Sequence, residues 1–397
     1  MSQTIQKVDI SPSLVLLMSI ACGLCTGSNY YSQPLFSSIA VDFNIALPTV
    51  AYLSFISQSM YTLGLLFLVP LGDMFEKKKT IVVFMLLAAF GQLICAWAFN
   101  IQMMFIGTAI SSLFSIAAQI LIPFATMIVQ PKNMAKIVGI LMSGLLMGIL
   151  MARTVAGLIS SLMNWQMTYY MSGALLGIVA ILILIKLPNA KSGIFTYPSM
   201  FKSMKFLWTA HPILRKRATL GSMCFFTVSM VFTTMALILS AQPFNFNDFE
   251  IGLVGLVGIA GILLGPWVGK QFQRGKEPIL TRTALVLLML SWALLAFAKL
   301  SIIIYVLGLL IIYIALTVLH ILNQNVVYSL DAAARSRLNS IYMTIYFLGA
   351  ALGSLSAAWI WSGYGWIGCV ALGLLISCAT FMLNEYWKLP SAIENSA

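Results

Sequence analysis

Two side chains that could do chemistry stand inside long apolar runs: Arg153, within G-I-L-M-S-G-L-L-M-G-I-L-M-A-R-T-V-A-G (139–157), and His320, within an apolar stretch that also holds Asn323 and Gln324. A charge at bilayer depth costs roughly 2.5–3.5 kcal/mol on insertion-derived scales, so an embedded arginine faces a bundle interior, a wet cavity or a partner. Arg153 keeps its proton at any ordinary pH. It therefore suits an anionic substrate, a gate, or a structural tie to backbone carbonyls, and not proton transfer. His320 is the embedded side chain that titrates near neutrality. It can serve coupling, substrate contact or a neutral hydrogen bond. Asn29, Tyr30 and Gln33 are spaced to share roughly one helical face, and a polar face on an apolar helix must meet a cavity or another helix. Gln119 lies four residues before Pro123, the spacing of a bend.

The elements that must carry these groups are membrane helices. Of 397 residues, 61% are hydrophobic and 8% charged, against about 25% charged in soluble domains. Successive apolar runs of about 20 residues, each long enough to cross about 30 Å of hydrocarbon, number twelve. The first run, 14–40, is too long and too polar at its end for a cleaved signal and reads as an uncleaved span. The net charge of +12 follows the positive-inside rule rather than nucleic-acid binding. Lys77, Lys78, Lys79, Lys132, Lys136, the 186–217 segment, Lys270, Arg274, Lys276, Arg282, Arg335, Arg337 and Lys388 fall in alternate connections. With Lys7 they assign both termini and the long middle loop to the cytoplasm. Asp42, Asp248, Glu250 and a single lysine, Lys299, fall on the other side, and only Lys299 and the embedded Arg153 break the pattern.

Six cysteines lie in apolar runs. Cys22-x-x-Cys25 has redox or metal spacing, but without a second pair it reads as packing. No metal, cofactor or disulfide framework is expected. An embedded enzyme is disfavoured, because no nucleophile, base and orienter set is present.

The chain repeats itself. A shift of 201 positions lays Gln119 on His320, Gly148 on Gly349, Arg153 on Ser354 and Trp165 on Trp366; a shift of 202 lays Lys186-Leu187-Pro188 on Lys388-Leu389-Pro390. The expected domains are a six-helix bundle over 1–188, a linker with a surface helix over 189–212, and a second six-helix bundle over 213–397. Two homologous halves joined by a cytoplasmic linker are the organisation of alternating-access transporters.

At this point the chain resembles the major facilitator superfamily over essentially its whole length. G-D-M-F-E-K-K-K (72–79) is similar to the family signature G-x-x-x-D-R-x-G-R-K: Asp73 matches its aspartate, and Lys77 and Lys78 its basic pair. Val69, Met74 and Glu76 depart from it. These residues imply a conformational latch. The 139–157 run resembles the antiporter signature G-x8-G-x3-G-P-x2-G-G through Gly139, Gly148 and Gly157, with Ala152 and Ala156 as small replacements and Arg153 at the proline's place. The resemblance implies an all-α membrane protein, the major facilitator fold of twelve transmembrane helices in two pseudo-symmetric bundles, with a cavity lined by spans 1, 4, 7 and 10. Onto that lining fall Asn29, Tyr30, Gln33, Gln119, Phe226, His320, Asn323 and Gln324. The implied activity is proton-coupled export of small organic or amphipathic molecules from the cytoplasm across a bacterial inner membrane, by a monomer. Import or exchange of an organic anion, with Arg153 pairing to it, is the alternative.

Overall fold

A computed structural model describes residues 11–189, 197–331 and 334–387; at Asp73, Pro131, Lys132, Ala135 and Ile262 the backbone alone is described. Lys7, most of the loop before Tyr197 and the Lys388-Leu389-Pro390 triplet lie outside these residues. The helices, in chain order, are α1 (Pro12–Gly27), α2 (Phe36–Asp42), α3 (Leu47–Leu63), α4 (Leu71–Met74), α5 (Lys77–Ala96), α6 (Ile101–Phe114), α7 (Ala117–Ile128), α8 (Pro131–Leu162) and α9 (Trp165–Lys186). After them come α10 (Tyr197–Ala210), α11 (Pro212–Leu239), α12 (Asp248–Val254), α13 (Ile259–Gln273), α14 (Glu277–Leu295), α15 (Ile302–Ser329) and α16 (Arg335–Tyr386).

Among the described residues ten helical runs are long and apolar enough to cross a membrane, with Pro12–Gly27 a shorter apolar helix. One of the ten is the 52-residue α16, which Gly365 breaks with φ 59° and ψ −151°. Taken as two spans, and with α1 added, it brings the count to twelve. Gly365 sits 201 positions after Asn164, the residue whose side chain accepts from Met167 N at 2.9 Å and starts α9. The two halves thus turn at equivalent positions by different means, a side-chain cap in one and a left-handed glycine in the other.

Helix starts follow from the sequence. Pro12, Pro131 and Pro212 sit at first helical positions, where the missing N–H has no partner to lose. Asn100 accepts from Met103 N at 2.8 Å, and Asn247 forms a reciprocal capping box with Glu250.

Two compact units form: Met1–Met200 with Asn245–Leu256, and Phe201–Phe244 with Val257–Ala397. In the first, Gly144 and Gly148 of α8 meet Ser19 and Gly23 of α1, so closely that a Cβ on Gly23 would lie 2.8 Å from the Gly144 carbonyl oxygen. In the second, Gly349 and Gly353 of α16 meet Ser222 and Phe226 of α11. Small residues permit this backbone approach in a membrane, where dispersion and polar contacts drive helix association. The sequence repeat therefore recurs as the same packing inside each unit: a glycine stripe on the fifth span against the first.

Candidate functional site

Span 1 does not run on as the continuous helix that its apolar pattern suggests. α1 stops at Gly27, residues 28–32 form turns, and Gln33–Leu35 make one 3-10 turn before α2. Pro34 cannot donate to the Tyr30 carbonyl, which removes a helical bond at that point. Irregular backbone survives at membrane depth only where protein encloses it, and residues 28–36 are all buried. The predicted polar triplet sits in this break. Its members share no single helical face: Asn29 turns one way, and Tyr30 and Gln33 another.

Asn29 Nδ2 donates to Ser115 Oγ at 2.9 Å, and Ser57 Oγ donates to the Asn29 carbonyl at 3.1 Å. Ser112 Oγ donates to Ser57 Oγ at 2.9 Å. This ties span 1 to α3 and α6 through hydroxyls that sequence spacing had not marked. Beside it lies a cavity of ≈ 10 Å³, lined among others by Ser32, Ser57, Gln92 and Tyr169. Gln92 Oε1 and the Tyr169 hydroxyl find no hydrogen-bond partner among the described residues. The space is polar and holds about one water molecule.

Tyr30 and Gln33 meet Arg153. The arginine is 1% exposed. Its Nε donates to Gln33 Oε1 at 2.7 Å, Nη1 donates to the Ile149 carbonyl at 3.2 Å, and the guanidinium lies 4.6 Å from the centroid of the Tyr30 ring. A charged donor bonded at this distance in a dry setting contributes about 1.5–3 kcal/mol, and the cation–π contact adds about 0.5–2 kcal/mol. Gln119 Nε2 donates to the Tyr61 hydroxyl at 3.1 Å; α7 starts just before it, and Pro123 inside α7 leaves the Gln119 carbonyl without its helical donor.

The antiporter-like glycines divide by position. Gly157 packs on the start of α12, where its Cβ would lie 3.0 Å from Phe249 Cα, and Gly139 has nothing within 4 Å. α12 runs back along α8: Thr154 Oγ1 donates to the Gly252 carbonyl at 2.9 Å, and a Cβ on Gly252 would lie 2.7 Å from the Arg153 carbonyl oxygen. Reading the sequence placed Asp248 in a loop. Instead it is the first residue of α12, 6% exposed, and its Oδ2 accepts from Ser38 Oγ at 2.5 Å and Ser160 Oγ at 2.6 Å. No sequence pattern pairs these three residues.

In the second unit His320 Nδ1 lies 3.2 Å from the Tyr342 hydroxyl, and its ring packs 4.7 Å from Tyr346. Asn323 is fully buried, with Arg217 Nη1 3.5 Å from its Oδ1. Arg217 in turn pairs with Glu277 at 2.7 Å, both 13–16% exposed. Gln324 Nε2 donates to Asn339 Oδ1 at 3.3 Å, which also accepts from Tyr328 at 2.9 Å. Phe226 gives its backbone to the Gly353 contact. His320, Asn323 and Gln324 thus each join a polar contact. Arg217, Glu277 and Tyr342 are additions that topology, not spacing, supplies.

At the latch-like loop, Lys77 is buried and its Nζ donates to the Gly72 carbonyl at 2.9 Å, while Lys79 pairs with Glu76 at 2.8 Å. Lys78 is half-buried, and the Asp73 side chain lies outside those described. Among the described residues no group of three or more His, Cys, Asp or Glu could hold a metal ion.

The family model described as Major Facilitator Superfamily matches residues 18–354. The chain belongs to that superfamily. Among superfamily relatives it is 42% identical to the "Uncharacterized transporter YgaY" of Escherichia coli O157:H7, over 96% of each chain. It is 24% identical to the "Probable transporter SCO4007" of Streptomyces coelicolor, over 90% of this chain and 84% of that one. Solved structures share the superfamily fold at low identity. The nucleoside transporter NupG matches with a TM-score of 0.75 at 15% identity, over 94% of this chain and 100% of the other. The human organic anion transporter MFSD10 matches at 0.68 and 14%, over 94% and 100%. The protein is accordingly a multi-pass membrane transporter of small molecules.

Proposed function

We propose that this transporter is a proton-driven exporter that moves small organic or amphipathic molecules out of the cytoplasm by alternating access. The observation that carries this reading is the double use of α8. Gly144 and Gly148 hold it against α1 while Gly157 receives the start of α12. A fifth span packed backbone-to-backbone in two directions fits the exporter-type glycine signature that Gly148 and Gly157 match. His320 and the polar clusters around Asn29, Tyr30, Gln33 and Gln119 supply candidate substrate and coupling contacts, with Phe226, Asn323 and Gln324 from the second unit. Asp73, Lys77 and Lys78 are the proposed cytoplasmic latch. The bacterial relatives and the charge pattern support a plasma-membrane location with both termini inside.

A second reading, exchange or import of an organic anion, draws on the buried Arg153 guanidinium beside Gln33 and Tyr30. Inverted membrane vesicles with an acidic lumen separate the two. The exporter accumulates neutral or cationic amphipathic dyes in the lumen, and a protonophore abolishes this. Accumulation of organic anions alone, indifferent to the pH gradient, refutes the exporter reading.

A further inference from the structure

Proton-coupled transport needs a side chain that gains and loses a proton where the protein moves, and the apolar runs of the sequence contain no central carboxylate. The structure supplies one at a seam. Asp248 opens α12 yet is 6% exposed, and a single oxygen of its carboxylate accepts from Ser38 of α2 at 2.5 Å and from Ser160 of α8 at 2.6 Å. Hydroxyls that donate to a carboxylate bind its ionised form more strongly than its neutral one. A cavity of ≈ 510 Å³, lined in part by Asp42, Asp248, Ser38 and Ser160, reaches the same carboxylate. Water and protons therefore have access to it.

Resting on the exporter reading above, we propose that Asp248 is the proton-binding residue that fastens α12 to α8 and releases it when protonated. Ionised, Oδ2 takes both serine hydroxyl protons and clasps three elements at one point. When a proton from cavity water adds to the carboxylate, its charge is lost, and both serine bonds weaken from charge-assisted to neutral ones, so the clasp holds α12 less tightly. No other bond forms or breaks, and the proton returns to cavity water when the clasp closes.

What lies under the clasp makes its opening matter. The helix it fastens and the turn after it cover Arg153: Gly252 sits on the Arg153 backbone, and a Cβ on Gly255, just past α12, would lie 3.1 Å from Arg153 Cδ. Releasing α12 therefore uncovers the embedded arginine helix.

Asp42, Glu250 and Arg153, on the elements packed together here, have partners of their own. Asp42 of α2 accepts from Trp165 Nε1 at 3.1 Å and Gln166 Nε2 at 2.9 Å of α9, Glu250 of α12 closes the capping box with Asn247, and Arg153 of α8 bonds Gln33. The direct partners of the Asp248 carboxylate are thus neutral hydroxyls, whose strength as donors depends on its charge.

The test uses the full chain in lipid nanodiscs, with native cysteines replaced and spin labels at Ser161 on α8 and Leu253 on α12. In the otherwise wild-type protein the label separation is expected to widen as pH falls from about 8 to about 3.5, a window that reaches the ordinary carboxylate range. Asp248→Asn, which cannot ionise, is expected to hold one separation at every pH. Ser160→Ala removes one donor to the ionised form and moves the midpoint up by about one to two pH units, a shift that a merely structural serine would not cause. It also serves if Asp248→Asn fails to fold. A separation indifferent to pH in the wild type, or a pH response kept by Asp248→Asn, overturns the proposal. If the separation titrates but vesicles show no flux driven by a pH gradient, the clasp stands and the exporter reading falls.

Discussion

Replacing Gln33 by Leu tests what the buried arginine is for. Gln33 Oε1 accepts from Arg153 Nε at 2.7 Å, and both side chains are 1% exposed. Deleting the acceptor removes a charge-assisted bond of about 1.5–3 kcal/mol. It also leaves part of a buried cation without compensation, and breaking a buried charged contact from one side costs about 3–5 kcal/mol. The Ile149 carbonyl and the Tyr30 ring remain, so the lower part of that range, about 3 kcal/mol, is the expectation. For a unit of about 200 residues this lowers the melting temperature by about 6–12 °C. Replacing both partners with apolar residues of similar shape is close to neutral in principle, so Gln33→Leu with Arg153→Met should be more stable than Gln33→Leu alone. A thiol-reactive dye can follow melting in detergent, since all six cysteines are free and five are buried. Additive costs in the double mutant, or a loss below about 1 kcal/mol in the single one, refute the reasoning that this bond neutralises a buried charge. Flux through the double mutant then settles the arginine's role. A stable, inactive protein assigns Arg153 to substrate or gate, and a stable, active one makes it a structural tie.

Two other perturbations follow from packing and charge. Gly23→Val should abolish folding, because even a Cβ there meets the Gly144 carbonyl at 2.8 Å, whereas Gly139→Ala, with nothing within 4 Å, should leave yield and melting unchanged; size-exclusion profiles of detergent extracts compare them. Glu277→Gln breaks the 2.7 Å pair with Arg217, and since both are 13–16% exposed the expected cost is about 1–3 kcal/mol, read as a fall in melting temperature that Arg217→Gln shares and the double mutant does not deepen.

The fold was legible because its determinants are local or periodic. Apolar run length gives the spans, while the Asn164 cap and the Gly365 turn, 201 positions apart, come from the structure. The sites were legible only as residue types. Arg153 announces itself by the cost of burying its charge, but nothing in spacing says that Gln33 and Tyr30 would meet it, because the segment carrying them leaves the helix at Pro34.

Asp248 shows the limit most sharply. Linear hydropathy assigns it to a polar connection, since burial is a property of neighbours and not of the residue itself. Whether a carboxylate ends in water or between Ser38 and Ser160 depends on which helices meet, and glycines far apart in the chain decide that. Sequence alone thus marked the membrane helices and the polar residues they must accommodate, because both are set by composition and period. Only tertiary structure decided which polar groups face one another, because hydrogen bonds act over about 3 Å between elements that lie a hundred residues or more apart.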